Sequence, residues 1–400
     1  MATDIDTAGP LDRGPLGARG RAEALEASKI REVGNAGMGL DDVIGLWYGE
    51  PDLPTPKFIT DAAAKALAEG RTFYTENHGI PELREALADY MSGLYAKPVV
   101  ADRISVTASG MSAVNLVQQV LTDPGDNVVV VGPIWPNLLG TITLMSGEPR
   151  FVSLEYGNEA WTLDLDRLFD AVDGRTRAMM INSPSNPTGW VATPAILAEI
   201  LNFCRQRGIW LIGDEVYARM VYDGRRAAPS VIDIAEPEDR VIAINSFSKA
   251  WCMTGWRLGW VTAPASLAPV LEKCIEFHYS CPAEFSQVAA VTAVRDGEPF
   301  IAELMQRYGQ CRQITVDRLR SYPGISLAEP EGAFYAFFAV EGMTDSLEWC
   351  KDVLRQTHVG LAPGSAFGPA SEGFIRLCFA SSIERLERAF DRLEPMLRGS

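Results

Sequence analysis

Residues 208–217 read Gly208-Ile209-Trp210-Leu211-Ile212-Gly213-Asp214-Glu215-Val216-Tyr217, a short apolar run that stops at two carboxylates. Four consecutive apolar residues bounded by glycines predict a strand buried on both faces. An acid at the end of such a strand needs a partner, because desolvation raises its pKa and costs free energy. A salt bridge or a helix N-cap would satisfy Asp214, and so would a protonated ring nitrogen.

The same kind of run recurs on both sides of this stretch, at 104–106, 128–131, 178–181 and 241–244. Most are followed by small or polar residues and then by a helical pattern. Apolar strands alternating with helices predict an α/β fold: a mostly parallel sheet sandwiched by helices. Two helices are plain. Pro81 opens one with Leu83, Leu87, Tyr90 and Leu94 on a face, and Ser381 with Glu384 has capping-box spacing ahead of Ile383, Leu386, Phe390 and Leu393. The alternating pattern sets in at Ile44, and residues 1–25, with Gly9-Pro10 and Gly14-Pro15, read as a weakly ordered arm.

In an open α/β sheet, ligands sit beyond the carboxyl ends of the strands. Here those ends carry chemistry. The first run leads into Thr107-Ala108-Ser109-Gly110-Met111 and a helix expected from Ser112, a start narrow enough for backbone amides to approach a phosphate. Taken alone, it is equally a strand-to-helix turn. The third leads into Asn182-Ser183-Pro184-Ser185-Asn186-Pro187-Thr188-Gly189, a polar turn by composition that also brings the Asn186 amide where a ligand would lie. The last leads into Ser246-Phe247-Ser248-Lys249 and on to Gly255, Arg257 and Gly259. A lysine set among aromatic and small residues loses solvation, which favours the neutral, nucleophilic amine. An isolated lysine would more often be a surface residue.

These segments, taken in order, resemble the class I/II aminotransferases, the fold-type I pyridoxal 5′-phosphate enzymes. The resemblance runs from Leu46 to Ala380. It is carried by Gly49-Glu50-Pro51-Asp52, Tyr74-Thr75 with Gly79, Ser109-Gly110, Asn186-Pro187-Thr188-Gly189, Asp214 with Tyr217, Ser246 with Ser248-Lys249, Gly255 with Arg257 and Gly259, and Arg376. It implies a large cofactor-binding domain over residues 55–290 and a small α/β domain over 291–400, which residues 26–54 join. It also implies roles. Lys249 would carry the cofactor as a Schiff base and move the substrate's proton. Asp214 would face the pyridinium nitrogen, Tyr217 and Asn186 the phenolic oxygen, and Trp135 the ring face. Ser109, Gly110, Met111, Ser246 and Arg257 would hold the phosphate, with Ser248 adding a contact. Arg376 and Gly49, beside Asn186, would hold the substrate α-carboxylate. Tyr74 would reach the phosphate in another subunit, which implies a homodimer with shared sites. Two departures are mild: Ser109 stands where many members have Gly, and Met111 where others have a polar residue.

The implied activity moves an amino group between an L-amino acid and a 2-oxo acid by a ping-pong cycle. The same residues serve other reactions of the cofactor, such as a C–S or other β-elimination lyase. A regulatory ligand-binding protein of this fold would need a basic helix-turn-helix domain, and the residues before the matching region are few and not basic. Side-chain preference stays open between neutral or aromatic and aspartate-type substrates; Trp47, Tyr48 and 277–279 are expected near the pocket mouth.

Composition narrows the alternatives further. A net charge of −16 with no basic cluster disfavours nucleic acid. No run approaches a membrane span, and no secretory signal is visible at the start. The seven cysteines have no C-x-x-C spacing and the three histidines are far apart, so neither a disulfide framework nor a metal site is expected. The cytoplasm is the expected compartment.

Overall fold

The structure is a computed structural model that describes residues 14–399. Seven strands form its central sheet: β1 (Ile104–Thr107), β2 (Asn127–Gly132), β3 (Glu148–Ser153), β4 (Thr176–Asn182), β5 (Trp210–Asp214), β6 (Val241–Ser246) and β7 (Gly259–Thr262). Their spatial order is β1-β7-β6-β5-β4-β2-β3, and only β7 runs antiparallel to its neighbours.

The predicted apolar strands are all present, and their residues alternate between two cores. Val128, Val130, Met180, Ile212, Ile242 and Ile244 point to the core containing helices Gly110–Leu121 and Ala268–His278. Val129, Val131, Met179, Ile181, Leu211 and Val241 point to the opposite, larger core. Burial on both faces is the reason these strands show no polar alternation.

A second sheet of four strands, β8 (Ile325–Leu327), β9 (Tyr335–Val340), β10 (Ala362–Pro363) and β11 (Phe374–Cys378), has the order β8-β9-β11-β10 and is antiparallel. The N-terminal segment joins this part of the fold, where Ile44–Gly45 pairs in parallel with Val359–Gly360. Residues 1–13 of the expected arm lie outside the described residues. Within 14–25, Arg19 donates to Leu144 O at 3.0 Å and Arg21 to Gly147 O at 3.1 Å.

Three sequence expectations need correction. The last helix, Ile383–Arg398, is capped by Ser382, whose hydroxyl accepts from Arg385 N at 3.1 Å, so the expected box at Ser381 and Glu384 is one residue out of register. Ser381 is buried before the helix begins, and Ile383 is exposed while Leu386, Phe390 and Leu393 are buried. The helix expected from Ser112 starts at Gly110, because Ser109 is its cap. The strand expected at 209–212 extends to Asp214, which places that carboxylate on the sheet edge itself. Among the described residues no helix is long and apolar enough to cross a membrane.

Candidate active site

The carboxyl edge of the sheet is the floor of a cavity of about 600 Å³. Strand register aligns what meets there: Asn182 pairs with Asp214, and Gly259 lies opposite both Thr107 and Ser246. Asn182 donates to Asp214 O at 3.0 Å and accepts from Asn186 N at 2.7 Å, so one amide ties two strand ends to the following loop.

The Asp214 carboxylate is buried, and its protein hydrogen bond is a long one from Val216 N at 3.4 Å. Among the described residues no cation pairs with it. Burial pushes its pKa up to about 7, against the opposing pull of the Val216 amide and the charge of Lys249.

Lys249 follows β6 in the single-turn helix Phe247–Ala250, where Ser246 is the cap and accepts from Ser248 N at 3.1 Å. Lys249 keeps some surface open to the cavity, yet protein encloses its amine, and burial lowers the pKa to about 8. Its Nζ donates to Gly49 O at 2.6 Å and lies 5.6 Å from the Tyr217 ring centroid. Tyr217 is buried, and its hydroxyl lies 2.7 Å from that of Tyr335.

Arg376, on β11, is only 2% exposed. It donates to Asn186 Oδ1 at 2.9 Å and to the carbonyl of Trp47, while its Nε has no partner among the described residues. No carboxylate among the described residues pairs with it. A buried guanidinium satisfied only by neutral oxygens is suited to receive an anion. Gly49 stands beside it, and a Cβ there would overlap the Tyr335 hydroxyl.

At the other end of the cavity, helix Gly110–Leu121 begins with Ser109 Oγ accepting from Ser112 N at 2.9 Å. The amides of Gly110 and Met111 have no acceptor among the described residues, and both residues line the cavity with Ser246, Ser248 and Arg257. Arg257 has no acid partner there either; it donates to Thr254 O at 2.6 Å. Trp135, at the start of helix Pro136–Leu144, supplies an aromatic wall.

Of the residues expected to hold cofactor or substrate, the cavity gathers all except Ser109 and Tyr74. Ser109 is buried behind the helix start with its hydroxyl used as a cap. Tyr74 points away, 89% exposed. Of the residues expected near the mouth, Tyr48 lines the cavity. Trp47 is buried with its ring against Gly37 and Gly360, and 277–279 lie elsewhere. Sequence reading missed Asn182, Tyr335 and Arg31, all cavity-lining. Asn182 ends an apolar strand as Asp214 does, a signal available beforehand; Tyr335 is hidden in an aromatic strand.

Comparison with known proteins agrees with this geometry. The profile of the family described as "Aminotransferase class I and II" matches residues 41–393. This chain belongs to that family. An aspartate aminotransferase of Thermotoga maritima is 36% identical over 381 residues, covering 94% of this chain and 98% of the relative. The aromatic-amino-acid aminotransferase 2 of Thermococcus litoralis is 34% identical, covering 94% and 97%. An alanine aminotransferase structure from Pyrococcus furiosus superposes with a TM-score of 0.88 at 32% identity, covering 95% and 99%. The aminotransferase is thus a pyridoxal 5′-phosphate-dependent transaminase of fold type I, acting on amino acids and 2-oxo acids. Its residues fit the cofactor: the buried Asp214, without a cation partner among the described residues, suits a cationic ring nitrogen, and the amides of Gly110 and Met111 with Arg257, likewise without acceptors or acids among those residues, suit a phosphate. The amine of Lys249, brought near neutrality, suits an aldehyde.

Proposed function

We propose that the residues of this cavity divide the work of transamination as follows. Lys249 attaches the cofactor. Asp214 holds a proton on the ring nitrogen, Tyr217 and Asn186 face the phenolic oxygen, and Trp135 covers the ring. Gly110, Met111, Ser246 and Arg257 bind the phosphate, with Ser109 orienting the helix start and Ser248 adjoining it. Pyridoxal 5′-phosphate, when bound, supplies an electron-withdrawing ring that stabilises negative charge at the substrate Cα. Arg376 and Gly49 orient the substrate by its α-carboxylate. The Nζ of Lys249, released as a neutral amine, moves the Cα proton.

The observation that carries this reading is Arg376: a buried guanidinium with no acid partner among the described residues, lining the same cavity as Lys249 and Asp214. A binding site that orients a carboxylate beside an amine of lowered pKa and a lone buried acid suits an α-amino acid. The cavity lining also includes the Tyr48 ring and the cation of Arg31, so the reading extends to aromatic and acidic donors.

Tyr74 belongs, in this proposal, to the phosphate site of a second copy, in a two-fold homodimer in the cytoplasm. Its exposure together with that of Phe73 (79%) and Phe277 (91%) supports a covered face. Residues 55–290 form the cofactor domain, and residues 291–400 with 26–54 form a smaller domain that closes on substrate.

The test is a single-donor experiment. Borohydride treatment of the loaded enzyme should fix one cofactor per chain on the peptide holding Lys249. A lone amino acid donor should release one equivalent of 2-oxo acid per chain and stop until a second 2-oxo acid is added. Continuous release of ammonia would instead identify a lyase. A panel of aspartate, glutamate, alanine and phenylalanine then ranks the donors.

A further inference from the structure

Tyr335 opens β9, is fully buried, and has no role in the division of work above, yet it meets three groups that do. Its hydroxyl lies 2.7 Å from the Tyr217 hydroxyl. The guanidinium carbon of Arg376 stands 4.6 Å from its ring centroid. The absent side chain of Gly49 leaves the space its hydroxyl fills.

Between two hydroxyls, only one donates to the other. A cation over a phenol ring makes that phenol the better donor, and the guanidinium of Arg376 stands closer over Tyr335, at 4.6 Å, than the amine of Lys249 does over Tyr217, at 5.6 Å, which selects Tyr335. With its oxygen already accepting, Tyr217 keeps its own proton for the cavity, and a hydroxyl that accepts one bond donates the next more strongly. The ring of Tyr335 meanwhile gives Arg376 a surface to lie on. Its neighbour Phe367 supplies a second surface at 4.8 Å.

We propose that Tyr335 is a positioning residue that donates its hydroxyl proton to Tyr217 while its ring seats Arg376. One side chain thereby joins the group facing the cofactor's phenolic oxygen to the group receiving the substrate carboxylate. The inference rests on the roles proposed above for Tyr217 and Arg376.

Because the two functions use different parts of the side chain, two substitutions separate them. Tyr335→Phe removes the hydroxyl and keeps the ring. A weaker hydrogen bond from Tyr217 stabilises the anionic phenolic oxygen less. The pH midpoint of the bound cofactor's visible absorbance should therefore rise by about 0.5–1 unit, with KM for the amino donor within about twofold of wild type. Tyr335→Leu removes both parts and should add a rise in KM of about tenfold. In a Tyr217→Phe background, Tyr335→Phe should leave the midpoint where Tyr217→Phe alone puts it. A Tyr335→Phe midpoint equal to that of wild type overturns the proposal. So does an equal shift in the Tyr217→Phe background, since Tyr335 would then act by another route. A wild-type enzyme that loads no cofactor on Lys249 overturns the underlying roles, and the proposal with them.

Discussion

Asp214 is 5% exposed, with a folded pKa of about 7, above the ordinary 3.8. Below the ordinary value the group is protonated both folded and unfolded, and burial costs little. As pH rises toward about 7 the unfolded chain ionises first, so the folded state loses stability across that window. Asp214→Asn should stabilise the cofactor-free enzyme by about 1–3 kcal/mol at mildly alkaline pH, with the gain vanishing in acid. Urea denaturation at several pH values measures this. In the loaded enzyme the same change removes the ring nitrogen's counter-charge and should lower kcat about a hundredfold or more. Lys249 has the opposite slope. Its folded pKa of about 8 lies below 10.5, so stability is regained as pH rises between them, and Lys249→Met should abolish that gain. At the cavity mouth, Arg31 has no acid partner among the described residues. Arg31→Gln should raise KM for aspartate about tenfold and leave that for phenylalanine within twofold, read from steady-state kinetics with both donors.

Helix Gly110–Leu121 shows how an element aims groups that its own side chains do not supply. Its cap, Ser109, holds φ at 148°, a region that favours glycine. Ser109→Gly relieves that strain and loses the cap bond, whereas Ser109→Ala loses the bond and keeps the strain. Melting temperatures should therefore rank Gly at or above wild type and Ala below it, the Ala variant losing about 1 kcal/mol. Gly259 bears on the same helix from β7. A Cβ there would stand 2.7 Å from both Asn245 O and Gly110 N, so Gly259→Ala should weaken cofactor retention on gel filtration and cost about 1–3 kcal/mol. At this scale the sequence was informative where burial is two-sided, because an unbroken apolar run has few other uses. It was silent on β7: Gly259-Trp260-Val261-Thr262 is short, starts with glycine, and reads as the end of a loop. The capping register failed because Ser381 and Ser382 are adjacent, and only packing decides which of them ends outside the core.

For the molecule as a whole, the central prediction concerns how copies share sites. Mixing Lys249→Ala and Tyr74→Ala subunits should restore about a quarter of wild-type activity. Half of the dimers are then mixed, and each has one site with both residues intact. Failure of the mixture to exceed either variant would place Tyr74 outside the site. Light scattering should give twice the chain mass. Most of the site was legible because its polar residues end strands or form loops, where polarity has no packing excuse. Tyr335 was not, since among Phe334, Tyr335, Phe337 and Phe338 no local rule marks the ring that meets the cavity. The pairing of Ile44–Gly45 with Val359–Gly360 adds an order in time. On the ribosome, the central sheet is complete once Thr262 has emerged, but Gly49 must wait for the strand of Arg376 before both sit on one scaffold. A nascent chain can thus present its amine well before it can grip a substrate, and amino-acid turnover waits for the strand that carries Arg376.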